Sequence, residues 1–191
     1  MMGTKLRLQL VMVNESGHEQ VQEVARIERE GVEMETLGLT LAEGKLILKK
    51  IQEGVVQEQI QDALARRCHC PDCGKARHSK GYHNITIRTR FGNMELKSPR
   101  LEHCRCQPHA EKTFRPLQAI LPEHTSPEML YLEVKWSSLL PYEVGCNLLH
   151  DVLPVNEKLS AVTMRNHLFA VDGRTDGAGI GRGAAVPDGG L

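Results

Sequence analysis

Cys68-His69-Cys70-Pro71-Asp72-Cys73-Gly74 and Cys104-Arg105-Cys106 bracket the stretch that decides the fold, Arg66 to Arg115. Between the two cysteine clusters the sequence reads strand, turn, strand. Asn84-Ile85-Thr86-Ile87-Arg88-Thr89-Arg90 alternates, with Ile85 and Ile87 on one side and Thr86, Arg88 and Arg90 on the other. Phe91-Gly92-Asn93 reads as the turn, Met94 to Ser98 as the returning strand, and Pro99 as its end. Two short cysteine turns at the base of a hairpin are the pattern of a zinc ribbon, because Zn²⁺ takes four soft ligands in a tetrahedron. Cys70 and Cys73 are spaced so that both thiolates of one turn reach the same ion. Gly74 supplies the positive φ that turns backbone amides toward the sulfurs. The expected ligands are Cys70, Cys73, Cys104 and Cys106, with Cys68, His69 and His103 as substitutes. Cys104-x-Cys106 is a tighter pair than usual. Four thiolates leave no open coordination position, so the expected role of the zinc is structural. Cys146, alone on a helical pattern, reads as a small buried apolar residue.

The 191-residue chain has six Cys, three Phe, three Tyr and one Trp, too few aromatics for one large aromatic core. Small modules, one held by metal, fit better. The N-terminus has no secretory pattern and no apolar run approaches a membrane span. A reducing, cytoplasmic setting is therefore expected, in which clustered Cys reads as metal binding. A redox role for Cys70-Pro71-Asp72-Cys73 is disfavoured. That chemistry places the motif at a helix start after a strand, whereas here it ends a helical pattern and precedes a basic loop. The histidines are scattered, with no nucleophile–base pairing among them.

The net charge of zero conceals an asymmetry. Residues 1–65 carry 7 basic and 11 acidic side chains, residues 66–116 carry 12 and 4, and residues 117–191 carry 5 and 9. The cysteine segment alone is basic, which points to a polyanion partner there. Charge balance against a zinc tetrathiolate accounts for only about two of the surplus charges. Lys75, Arg77, Lys80, Arg88, Arg90, Lys97 and Arg100 are the candidate phosphate contacts.

Outward from this segment the reading is α+β, in several modules. Residues 1–67 form an N-terminal strand and helical region. Lys5 to Val13 alternates as a strand, and Glu19 to Glu30, with Val21, Val24, Ala25 and Ile27, predicts a helix. Thr40-Leu41-Ala42-Glu43 is a capping box opening one kinked helix or two, joined near Gly54 and running to Arg67. Residues 68–116 are the zinc-ribbon-like basic hairpin. Gln107 to Leu121 reads as irregular. Residues 117–170 form a helical region: Ser126-Pro127-Glu128 starts one helix, Tyr142 to Leu153 forms a second, and Ser160 caps a third through Leu168. Three short helices, with Arg165 and Asn166 on the third, fit a helix-turn-helix that contacts DNA, and equally a bundle covering the ribbon. Seven of the last 19 residues are Gly, so residues 171–191 are expected to be a disordered tail.

The blocks His69 to Gly74, Lys80-Gly81-Tyr82-His83, Arg88 to Gly92, Ser98-Pro99-Arg100, Cys104-Arg105-Cys106, Thr113 to Leu117, Pro127 to Glu133, Lys135 to Leu139, Asp151 to Pro154 and Thr163 to Leu168 occur in order. Together they resemble the N-terminal part of ISKra-type bacterial insertion-sequence transposases over about Thr36 to Leu168. The resemblance implies binding of DNA at element ends, and strand transfer by an RNase H-like domain with acidic residues and divalent metal. It departs after Phe169, where such proteins continue into an acidic helical connector. The catalytic acids have no counterpart here, so none is assigned. The expectation is a truncated transposase that binds DNA, as a homo-oligomer or with intact transposase, without catalysis. The competing expectation is a stand-alone zinc-ribbon module that binds RNA or a protein, or inhibits intact transposase.

Overall fold

The computed structural model describes residues 3–13, 17–106, 112–155 and 159–177. In order these form β1 (Thr4–Val13), β2 (Glu19–Arg29), α1 (Leu41–Arg67), β3 (Ser79–Thr89), β4 (Gly92–Glu102), β5 (Thr113–Phe114), α2 (Pro116–Ile120), α3 (Pro127–Leu139), α4 (Tyr142–Val152) and α5 (Ala161–Gly177). The architecture is mixed α+β, with a two-stranded sheet β1-β2 and a three-stranded sheet β3-β4-β5, both antiparallel. No helix of the described residues is long and apolar enough to cross a membrane.

Helix α1 is the spine. Its start is the capping box read from sequence: the Thr40 side chain accepts from the Glu43 amide, and Glu43 reaches back to the Thr40 amide. Arg29 donates to the same Glu43 carboxylate at 2.7 Å, so β2 is tied to the cap. The helix runs unbroken through Gly54, so the join expected there is absent. Gly54 is instead a point of close approach: a Cβ there would lie 2.8 Å from both Gln22 Oε1 and Leu10 Cδ2. The apolar stripe divides between two cores. Ile47 and Ile51 pack under β1-β2 with Val24, Ala25 and Ile27. Val56, Ile60 and Leu64 pack with Ile85, Ile87, Leu96 and Leu117 beneath the second sheet. Each such side chain, fully buried, contributes about 1.5–3 kcal/mol.

The helix expected over Glu19 to Glu30 is a strand, which corrects the reading of the N-terminal region as helical beyond β1. The cause is a β-bulge. Leu8 pairs with Ala25 and Gln9 with Glu23, so Val24 is the extra residue. The bulge places consecutive Val24 and Ala25 both in the core, followed by Ile27. A strand so interrupted spaces its apolar residues like a helix. Three further boundaries move. β4 continues through Pro99, which lies opposite Tyr82, to Glu102, past the end expected at Pro99. The β3-β4 turn falls on Arg90 and Phe91, one residue earlier than expected. The stretch read as irregular carries β5 and α2, with Pro116 at the first turn of α2.

The three C-terminal helices surround a third core of Met129, Cys146, Leu149, Leu159 and Met164, against which Trp136 packs. Ser126 caps α3 by accepting from the Met129 amide, and Ser160 accepts from the Thr163 amide ahead of α5. α5 continues helically to Gly177, so the expected disordered tail is corrected over 171–177; residues 178–191 lie outside the described residues. A nucleated helix adds a hydrogen bond for each residue fixed, which composition alone does not register. The bundle touches both other units. Arg88 exchanges backbone bonds with His124 and Ser126, covering the outer edge of β3. Lys45 on α1 donates to the His150 carbonyl at 2.6 Å.

Candidate metal centre

Hairpin β3-β4 brings the two cysteine turns together because its strands pair from Thr89–Gly92 back to Ser79–Leu101. That places the segments preceding β3 and following β4 side by side. The first turn is a small knuckle closed by backbone bonds: the Gly74 amide donates to the Cys70 carbonyl, Cys70 N–H to Lys75, and Arg77 N–H to Cys68. Gly74 has φ +70°, the left-handed conformation the tight reversal requires. After β4, β5 pairs with Leu101 and Glu102, which fixes the chain on the far side of the second turn.

Cys70, Cys73, Cys104 and Cys106 converge with all four Sγ atoms within 4.8 Å of one another. The Cys70–Cys106 and Cys73–Cys104 sulfurs are 3.4 Å apart, and Cys106–Cys73 3.5 Å. These separations exceed a disulfide bond of about 2.05 Å. They lie near the edge of about 3.8 Å that a tetrahedron with metal–sulfur bonds of about 2.3 Å requires. The donor set therefore fits a divalent soft or borderline cation. Cys68, His69 and His103, the alternative ligands, stand outside the cluster.

The local field favours thiolates at two of the four positions. Burial opposes charge on Cys70, but amides of Cys73 and Asp72 aimed at its sulfur bring its pKa below the ordinary thiol value. The Cys106 amide, and then the Cys106 thiol, lower Cys104 to about 6. Cys106 moves the other way, raised chiefly by its contact with Cys104 and then with Cys70 and Cys73. Crowded sulfurs cannot all ionise without a cation among them, and a bound metal removes that conflict. Cys146 is remote from the centre: it is buried in the helical core, its Sγ donates to the Leu159 carbonyl at 3.1 Å, and burial raises its pKa.

The candidate phosphate contacts differ in their partners. Lys75 is exposed beside the first knuckle, and Arg77 lies 4.6 Å over the Phe114 ring. Lys80 pairs with Glu102 at 3.1 Å, and Arg90 with Glu128 at the start of α3 at 3.2 Å. Lys97 sits over Tyr82, and Arg100 donates to the Thr113 hydroxyl. Arg88 is exposed at the seam with the helical bundle, where it lines a cleft with Glu95, Asn93 and Glu133. Arg165 and Asn166 are both exposed on α5, but the link from Leu153 to Ser160 is longer than the three- or four-residue turn of a helix-turn-helix.

Two features were not legible in the sequence. Glu133 on α3 is fully buried and hydrogen-bonded through one oxygen to His167 Nδ1 on α5, while its Oε1 has no partner among the described residues. Arg67, at the end of α1, donates to the Pro116 carbonyl at 3.1 Å and so joins the rim of the cysteine module to α2. Its only signal was position, directly ahead of the first cysteine turn. Neither a scan of protein-family models nor a comparison with curated proteins finds a match to this chain.

Proposed function

We propose that the four cysteines hold one structural Zn²⁺, that the hairpin with its two knuckles is a zinc ribbon, and that this basic ribbon binds DNA. The reading rests on one observation: four sulfurs within 4.8 Å of one another, at the base of the only segment with a large positive surplus. Zinc is favoured over softer or redox metals because an all-thiolate tetrahedron without an open position suits an ion with no redox chemistry. The metal would neutralise the crowded thiolates and pin the two knuckles. The residues around it would present cations to a phosphate backbone, an attraction independent of sequence. The resemblance to the N-terminal part of ISKra-type transposases supports the ends of a mobile element as the DNA bound, alone or with intact transposase.

The distribution of cations shapes this reading. Lys80 and Arg90 are already paired with carboxylates, so Lys75, Lys97 and Arg100 carry the proposed backbone contact. Arg165 and Asn166 remain candidates for reading base edges, although the long link before α5 departs from helix-turn-helix geometry. The test is binding of labelled duplex DNA by zinc-loaded protein over a range of salt. The reading predicts that log K falls linearly with log salt, and that the chelated protein loses most of its affinity. Affinity indifferent to salt would refute it and favour a protein partner; clear preference for single-stranded or duplex RNA over DNA would favour the stand-alone RNA module.

A further inference from the structure

The β3-β4 hairpin has two faces, because successive side chains of a strand point to opposite sides. Ile85, Ile87 and Leu96 enter the core with α1. On the other face Arg88 lies opposite Asn93 and Thr86 opposite Glu95. That face meets the helical bundle around a cavity of about 360 Å³. Arg88 and Glu95 line it from the hairpin and Glu133 from α3, while Met129, Val155 and Leu159 supply apolar wall. A few convergent polar groups in a partly apolar cavity of this size are the makings of a small-ligand pocket. It shares no residue with the cysteine cluster. Glu133 is fully buried; His167 holds its Oε2, and its Oε1 has no partner among the described residues. Arg88 and Glu95 are exposed and make no side-chain hydrogen bond or ion pair among the described residues. Exposed charges are hydrated and cost little as they stand. A buried carboxylate oxygen without a donor is costly, so Glu133 is the group that calls for a partner.

We infer that this cavity binds a small α-amino acid with an aliphatic side chain, its ammonium toward Glu133 and Glu95 and its carboxylate toward Arg88. The inference stands apart from the nucleic-acid reading above. The partner missing from Glu133 Oε1 is an N–H or O–H donor, and a cationic donor makes the strongest hydrogen bond to a carboxylate. Two carboxylates against one guanidinium leave the charged lining net negative, which favours a ligand with a cationic end over a phosphate ester. The planar fork of Arg88 matches a carboxylate at the ligand's other end. Met129, Val155 and Leu159 match an aliphatic body. No aromatic ring is among the described lining residues, so a nucleobase finds no stacking surface. The cysteine cluster is the one group of three or more metal-ligating side chains among the described residues, which sets aside a divalent cation here. Because hairpin and bundle both contribute, the ligand bridges the two units.

The experiment is equilibrium dialysis of the zinc-loaded full chain against L-leucine, isopentylamine (leucine without its carboxylate), isocaproate (leucine without its ammonium) and guanosine monophosphate. Leucine should bind saturably at one per chain, about tenfold or more tighter than either half-ligand. Arg88→Gln should weaken leucine about tenfold or more and leave isopentylamine unchanged. Glu95→Gln should weaken leucine and isopentylamine alike, and Glu133→Gln should abolish both. Trp136 emission reports whether the helical core of the Glu133 variant is intact; if it is not, the two exposed positions carry the test. Arg7→Gln, which removes a cation from β1, should change nothing. No saturable binding of leucine, valine or methionine up to about 10 mM overturns the site. So does leucine binding that Arg88→Gln and Glu95→Gln leave unchanged. Isopentylamine as tight as leucine overturns the amino-acid assignment in favour of an organic cation, and preference for guanosine monophosphate overturns it in favour of a nucleotide.

Discussion

Removing the His167 imidazole should unfold the C-terminal helical core far more readily than its partly exposed position suggests. Glu133 is 0% exposed, and His167 Nδ1 is the hydrogen-bond partner of its Oε2. Its Oε1 has none among the described residues. In His167→Ala the Oε2 loses its partner as well, which leaves both oxygens of a fully buried carboxylate unsatisfied among the described residues. An unsatisfied buried polar group costs about 1–3 kcal/mol, and more where the group is charged. We take about 3 kcal/mol, which lowers a urea midpoint by about 1–2 M for m near 1.5–3 kcal/mol/M. Trp136, the sole tryptophan, packs against this same core, so its fluorescence reports the bundle and not the other two cores. Replacing both partners, Glu133→Met/His167→Ala, should recover most of the loss, because an apolar pair does not leave a polar group stranded. A loss below about 0.5 kcal/mol in His167→Ala, or no recovery in the double variant, would refute the reasoning.

Other outcomes follow from the same geometry. Cys73→Ser should abolish stoichiometric zinc binding, whereas Cys68→Ser, outside the sulfur cluster, should leave metal content at one per chain by elemental analysis. Chelation should expose the backbone amides of the two knuckles to hydrogen exchange while leaving Trp136 emission native, because the metal site and the helical core do not share residues. Leu117→Ala, at a fully buried site under the three-stranded sheet, should cost about 2–5 kcal/mol, seen as loss of exchange protection across β3 and β4. Glu43 is lowered to about 2 by its bond to Arg29 and then by the Thr40 amide and hydroxyl. Its depressed folded pKa means that its stabilisation is full above about pH 4.5 and is lost as pH falls through about 2; Glu43→Gln should abolish that part of the acid sensitivity of α1.

The four-cysteine cluster was the most legible part because its information is local. Cys70-x-x-Cys73 with Gly74, a hairpin, and Cys104-x-Cys106 are short patterns whose chemistry permits few arrangements. The capping box at Thr40 and the Ser126-Pro127 start were legible for the same reason. β2 was not, because one bulge at Val24 turns a period of two into apparent helical spacing, and only the pairing with Leu8 and Gln9 reveals it. The charge count located the basic segment but not the direction of its side chains. Arg90 meets Glu128, Lys80 meets Glu102, and Arg88 falls into a seam, all through contacts between distant parts of the chain. Nothing in the sequence around Glu133 marks it as buried; that depends on α5 packing against α3.

The most direct test of the account is cobalt substitution of the metal-free protein followed by zinc titration. A tetrahedral site of four thiolates predicts intense ligand-field bands with strong sulfur-to-cobalt charge transfer at one Co²⁺ per chain, displaced by one equivalent of Zn²⁺. A spectrum of three sulfurs and one nitrogen would move a ligand to His69 or His103 and contradict the site assigned here. Absence of stoichiometric binding, with all four thiols freely reactive in the presence of zinc, would contradict the metal centre itself.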